Sequence, residues 1–274
     1  MKQYLLIDIG GTFIKYSLTD AHAQKVSGGK VPTPLTGMDD LLATIEGFAA
    51  PWKGQFEGCA VSMPGRIDTK RGIAHTGGIL SGFMWEQPFA SLLEQSLGVP
   101  VVIANDGKCA AAAEAWTGSL AGVDNGLVLV LGTGIGGGII LNGRVYMGSH
   151  SAAGEVSNLV TELGSMEGDD FRFEVIGKVA ESPVWAGKAS ASGLIAAYAA
   201  EKQLPAHAPQ PTGEEIFAAY AAGEPEACRA LKKFARRGAG HHRPAKRAGR
   251  GAGRHWRRHQ RGGCSAACHP DGAG

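Results

Sequence analysis

Apolar positions along this chain fall into short runs of four to six residues, separated by glycine, proline or Asn-Asp breaks and interleaved with stretches of helical spacing. Residues 4–9, opening with Tyr4-Leu5-Leu6-Ile7, and residues 13–18 read as two strands of a hairpin. Pro32 to Gly37, with two prolines and a glycine, reads as a loop. Asp39 to Phe48 has helical apolar spacing, with Asp39-Asp40 near the start, where acids suit the helix dipole. Cys59 to Met63 predicts a short buried strand ending at Pro64-Gly65, and Leu92 to Leu97 a short helix. Val101 to Ala104 predicts a second buried strand, which runs into Asn105-Asp106. From Gly107 to Trp116 the chain is rich in alanine, the best helix former, and Gly118 closes that helix.

The plan of the N-terminus then returns. Tyr4 to Ile7 leads into Asp8-Ile9-Gly10-Gly11-Thr12 and a further strand; Gly126 to Leu131 leads into Gly132-Thr133-Gly134-Ile135-Gly136-Gly137-Gly138 and Ile139-Ile140-Leu141. Each copy is strand, glycine-rich turn, strand. Beyond it, 149–154 and 163–170 read as loops and Leu194 to Ala200 as a helix. Thr212-Gly-Glu-Glu215 has capping-box spacing and opens a helix through Ala222, and Glu224 to Phe234 starts another. Strands alternating with helices give an α/β fold class.

Charge divides the chain. Residues 236–274 hold nine Arg and one Lys against Asp271, leaving 17 basic and 24 acidic side chains in the first 235 residues. The body is mildly acidic, and the overall charge of +2 hides a strongly basic tail. That tail contains no Ile, Leu, Val, Met or Phe, so it cannot build a core and is expected to be disordered. Five scattered cysteines fit a reducing cytoplasm better than a disulfide framework. No apolar run approaches the roughly 18–20 residues of a membrane span, and Asp8 interrupts any signal-peptide pattern.

Glycine turns let backbone N–H groups approach an anion with no Cβ in the way. Two of them, one entered through Asp8, suggest a clamp on nucleotide phosphates and Mg²⁺; the plain alternative is a pair of tight hairpins. Gly132-x-Gly134-x-x-Gly137 matches a dinucleotide fingerprint in letters, but that fingerprint must open a helix, and here β-branched residues follow. Neither turn ends in the Gly-Lys-Ser/Thr of a P-loop. Asn105-Asp106 stands where a strand meets a helix. A carboxylate there can act as a general base or can cap the helix.

Asp8-Ile-Gly-Gly-Thr-x-x-Lys15, Asn105-Asp106, Leu131 to Gly138 and Ala153-Gly154-Glu155 together resemble, in order and spacing, the ROK-family sugar kinases over residues 3–235. The resemblance implies a two-lobed actin-like ATPase (ribonuclease H-like) fold, with one lobe at 1–105, a shortened second lobe at 106–235 and the tail at 236–274. It implies ATP and Mg²⁺ as cofactors and a small-molecule sugar, a hexose or β-glucoside, phosphorylated at a hydroxyl, the 6-hydroxyl foremost. Asp106 would be the catalytic base. Asp8, Gly10, Gly11, Thr12 and Lys15 would form the first phosphate turn, with Asp8 holding Mg²⁺ through water. Gly132, Thr133, Gly134, Gly136 and Gly137 would form the second. Asn105, Glu155 and Gly65 would bind the sugar. The resemblance allows a homodimer and gives membranes and nucleic acid no role.

Three departures bear on this expectation. Many members carry Glu-x-x-His and a cysteine-rich zinc loop; here Asn158 replaces the His and 159–190 contain no Cys, so no structural zinc is expected. Lys188 falls near the place of a further sugar-contacting glutamate. This zinc-less form is similar to bacterial β-glucoside kinases. Finally, the tail replaces the helices and adenosine loop that close the family fold, and its composition matches out-of-frame GC-rich codons. His255, His259, Cys264, Cys268 and His269 have loose metal-like spacing. The rival reading is a catalytically inactive, shortened sugar-binding protein, or a nucleic-acid binder using its basic tail.

Overall fold

The computed structural model describes residues 2–157, 159, 184–205 and 207–239. Strands β1 (Gln3–Ile9), β2 (Phe13–Asp20) and β3 (Lys25–Pro32) form an antiparallel meander. Helix α1 (Met38–Ala49) precedes β4 (Cys59–Met63) and a two-residue pair, β5 (Ile67–Asp68) with β6 (Ile73–Ala74). Helix α2 (Phe89–Leu97) then leads to β7 (Val101–Asn105), and α3 (Asp106–Trp116) follows without a break. β4 and β7 join the meander in parallel, giving the order β3-β2-β1-β4-β7.

One face of this sheet is built from the alternate residues Leu5, Ile7, Ile9, Ile14 and Leu18, all at most 2% exposed, with α1 and α2 laid across it. Helical spacing puts Leu41, Ile45 and Phe48 of α1 on that side, as the sequence pattern predicts. β4 and β7 differ from expectation. Their unbroken apolar runs predict cover on both faces, whereas Ala60 and Val102 are exposed, Val102 by 54%. These strands are half-buried because packed helices cover only the side of Cys59, Val61, Val101 and Ile103.

β8 (Gly126–Leu131), β9 (Ile135–Leu141) and β10 (Arg144–Tyr146) repeat the meander. Asn142 and Gly143, both at positive φ, turn β9 into β10, so a strand and not a helix follows the glycine run. That removes the dinucleotide-fold reading. α3 packs on β9, and the small helix α4 (Trp185–Ala189) buries Trp185 against Ile135.

Helices α5 (Ala191–Glu201), α6 (Gly213–Ala221) and α7 (Pro225–Ala239) share a core around Leu194, Tyr198, Ile216, Ala227 and Ala230. The predicted capping box is formed: Thr212 and Glu215 exchange side-chain and backbone bonds. α5 starts earlier than the sequence suggests, because Ser190 caps it. α7 continues three residues beyond Arg236, where the apolar pattern ends. β3 has no counterpart in the sequence reading. Its Lys-Val-Ser-Gly-Gly-Lys-Val-Pro run is nearly all exposed, and it is held as an edge strand by pairing with β2. The predicted loop at 163–170, Asn158 and residues 240–274 lie outside the described residues. Among the described residues no helix is long and apolar enough to cross a membrane.

Candidate active site

The site grows from the junction of β7 and α3. Asn105, 4% exposed, caps the helix by accepting the Lys108 N–H at 3.2 Å. Its amide Nδ2 donates to the Gly65 carbonyl at 2.9 Å and to Asp106 Oδ1 at 3.1 Å. The cap is therefore Asn105, which frees Asp106 from that duty. Gly65 is held at φ +103, and a Cβ there would stand 2.1 Å from the Thr76 carbonyl oxygen, so only glycine fits the bend.

Asp106 accepts the Gly107 N–H at 2.8 Å and leaves its surface open to solvent. Crowding by surrounding protein nevertheless pushes its carboxyl above the usual carboxylate range. The Gly107 N–H pulls it back, the charge of Asp8 raises it further, and the Lys108 cation lowers it. A proton acceptor tuned upward toward neutral pH is what general-base work favours.

Asp8 lies near the end of β1. Ser62 of β4 donates to its Oδ1 at 2.9 Å, and Lys15 is its cross-strand partner on β2. Asp8, Lys15 and Ser62 line a cavity of about 740 Å³ that continues along the open face of the sheet. Gly10, Gly11 and Thr12 make the bend between β1 and β2, where the Gly10 N–H bonds the Phe13 carbonyl. Thr33 ties this bend down, donating its hydroxyl to Gly10 at 2.7 Å and its N–H to Thr12 at 3.0 Å.

The second glycine run divides into two parts. Gly132, Thr133 and Gly134 form the β8–β9 turn, closed by a Gly132 N–H to Gly134 carbonyl bond of 3.0 Å. The start of α5 docks on it: Ala191 N–H reaches Gly132 and the Ser192 hydroxyl reaches Thr133. Gly136 and Gly137 instead belong to β9, where backbone packs on backbone. A Cβ on Gly137 would meet the Gly154 carbonyl oxygen at 2.3 Å, and one on Gly107 would meet Gly137 N at 2.5 Å. These glycines draw α3, and with it Asp106, against the second repeat. They also seat the loop that carries Glu155, whose Oε1 accepts from Lys108 Nζ at 2.6 Å.

Ser62, Lys108 and Ser192 are partners that the sequence reading did not single out. Ser62 stands in an apolar strand and Lys108 in an alanine-rich helix, and only the tertiary contacts reveal them. Lys188 is buried in α4. Among the described residues no three His, Cys, Asp or Glu side chains gather. The Asp8 carboxylate, held at one oxygen by Ser62, fits a Mg²⁺ bound mainly by water and phosphate oxygens, which needs no closed protein cage.

A comparison with known families decides the affiliation: the ROK family pattern matches residues 4–242. The chain belongs to the ROK family. A β-glucoside kinase of Listeria innocua is 32% identical over 231 residues, covering 83% of this chain and 72% of that protein. An N-acetyl-D-glucosamine kinase of Vibrio vulnificus is 33% identical over 159 residues, and the chain spans only 52% of its length. Among solved structures, a ROK glucokinase from Streptomyces griseus, in complex with glucose and AMPPNP, aligns with a TM-score of 0.68 at 26% identity. That alignment covers 86% of this chain and 76% of the glucokinase. With this likeness the α/β architecture is the actin-like ATPase fold of the ROK sugar kinases.

Proposed function

We propose that this ROK protein is an ATP-dependent sugar kinase that phosphorylates a hydroxyl, the 6-hydroxyl foremost, of a hexose or β-glucoside. The observation that carries the reading is the junction of β7 and α3, where Asn105, Asp106 and Gly65 meet beside the glycine strand β9. The Listeria innocua relative, aligned over most of the chain, supports the β-glucoside class.

In this reading Asp106 accepts the proton of the attacking hydroxyl. Asn105, Glu155 and the Gly65 segment orient the sugar. Gly10, Gly11, Thr12 and Lys15 on one side, and Gly132 to Gly137 on the other, would receive the phosphates. Asp8, steadied by Ser62, would hold Mg²⁺ through water. ATP with Mg²⁺, when bound, supplies the phosphoryl group and neutralises its charge. What the chain contributes is position and a fixed electrostatic field, which is most of what phosphoryl transfer needs. Residues 1–105 and 106–235 act as the two lobes, and 236–274 take no part in the chemistry.

The test is ADP release by the purified 274-residue chain with glucose, mannose, fructose, N-acetylmannosamine and cellobiose. Sugar-dependent ADP release supports the proposal. Sugar binding without ADP would make the chain a binding module and end the kinase reading.

A further inference from the structure

Lys108 is the third residue of α3 and 2% exposed. A buried ammonium needs a partner, and its Nζ donates to Glu155 Oε1 at 2.6 Å. Glu155 is about one-third exposed, so one end of the carboxylate is held while the side chain still faces solvent. Its loop is fixed separately. Gly154 packs on Gly137, the Glu155 N–H bonds Ala152 at 3.2 Å, and the Ser157 hydroxyl donates to the Ile135 carbonyl. Those contacts place the Glu155 backbone; the salt bridge aims its carboxylate. The N–H of Lys108 bonds the Asn105 side chain, so a single helical turn orients Asn105, Asp106 and the cation that reaches Glu155.

We propose that Lys108 is a positioning residue for acceptor binding: it grips Glu155 by one oxygen and presents the other to a sugar hydroxyl. This rests on the sugar-kinase reading above. Lys108 is 2% exposed and its Cα would lie 3.4 Å from a Cβ on Gly138 of β9, so a slim ammonium suits this buried position. Arginine keeps the charge but brings a wider, planar head.

The test uses the full chain as wild type, Lys108→Met, Lys108→Arg, Glu155→Gln and the Lys108→Met/Glu155→Gln double variant. ADP release gives KM for sugar and for ATP, and tryptophan fluorescence titration with glucose and cellobiose gives sugar Kd. Lys108→Met should raise the sugar KM and Kd by roughly 10- to 100-fold while the KM for ATP stays within about twofold. Lys108→Arg should recover part of this loss. The double variant should bind sugar no worse than Glu155→Gln alone, because Lys108 acts through Glu155. An unchanged sugar KM in Lys108→Met, or sugar and ATP constants rising together, overturns the proposal. If Lys108→Met fails to fold, the split between sugar and ATP constants in Lys108→Arg decides in the same way. A wild type that binds sugar without releasing ADP ends the kinase reading but leaves Lys108 to be judged by Kd. A wild type with normal turnover and a Lys108→Met variant of equal sugar KM does the reverse. A wild type that binds no sugar overturns both.

Discussion

Gly107 and Gly137 meet backbone to backbone: a Cβ on Gly107 would lie 2.5 Å from the Gly137 nitrogen and 2.9 Å from its carbonyl oxygen. This contact lets the first turn of α3 touch β9, and so brings Asp106 beside the second glycine repeat. Neither residue is at positive φ, so close approach, and not backbone freedom, demands glycine there.

Gly107→Ala should therefore destabilise the protein. Alanine gains about 1 kcal/mol of helix propensity over glycine, but overpacking against unyielding backbone costs about 1–3 kcal/mol. The net loss, read from urea unfolding, should be accompanied by a lower kcat. A stabilised Gly107→Ala variant would show that α3 and β9 have room to part.

Asp106→Asn should leave sugar binding intact while kcat falls by at least ~10²-fold, the low end of general-base contributions. The asparagine keeps an oxygen for the Gly107 N–H, so the helix start should survive. Turnover near that of wild type would remove Asp106 from the mechanism.

The pH profile carries a sign. Desolvation by the surrounding protein holds the Asp106 carboxyl above its ordinary range, although its surface is partly open, so it keeps its proton to higher pH than a free carboxyl. The base form is lost as pH falls, and kcat/KM should drop on an acidic limb lying above the usual carboxylate pKa of about 4. Kinetics that stay flat down to that pKa would contradict the assignment.

Gly134 offers a contrast with Gly107. A Cβ on it meets nothing nearer than Ser157 Oγ at 3.9 Å, so Gly134→Val should fold normally. Yet it puts a branched side chain on the open turn, and the KM for ATP should rise by roughly tenfold or more with little change in sugar binding. An unaltered ATP dependence would reduce this turn to a hairpin.

Apolar strand positions stand open in the two larger sheets, with Val102 at 54%, Leu127 at 50% and Leu131 at 47% exposure. Apolar surface left in water forfeits about 25 cal/mol per Å², a serious loss against a total stability of about 5–15 kcal/mol. The 274-residue chain should accordingly bind a hydrophobic dye and be poorly soluble or weakly active. Restoring the other reading frame after about residue 235 should reduce dye binding and raise activity. A 274-residue chain that is monomeric, cooperatively folded and fully active would falsify the frameshift account of the tail.

Sequence by itself determined the repeated strand–turn–strand plan, the α/β class, the capping box at Thr212 and the residues around which a site could form. Each is a local matter, set by apolar period, turn chemistry or a short spacing between neighbours. Only the tertiary structure decided what those residues do to one another. Gly136 and Gly137 read as phosphate glycines, and only the structure adds that α3 and Gly154 press on their Cβ sides, because a missing Cβ looks the same in sequence whatever approaches it. The edge strand β3 was hidden because its partner, and not its own composition, makes it a strand. Ser62 and Lys108 looked like filler in a strand and a helix. Their partners Asp8 and Glu155 lie 54 and 47 residues away, and no local pattern records a contact that only folding creates.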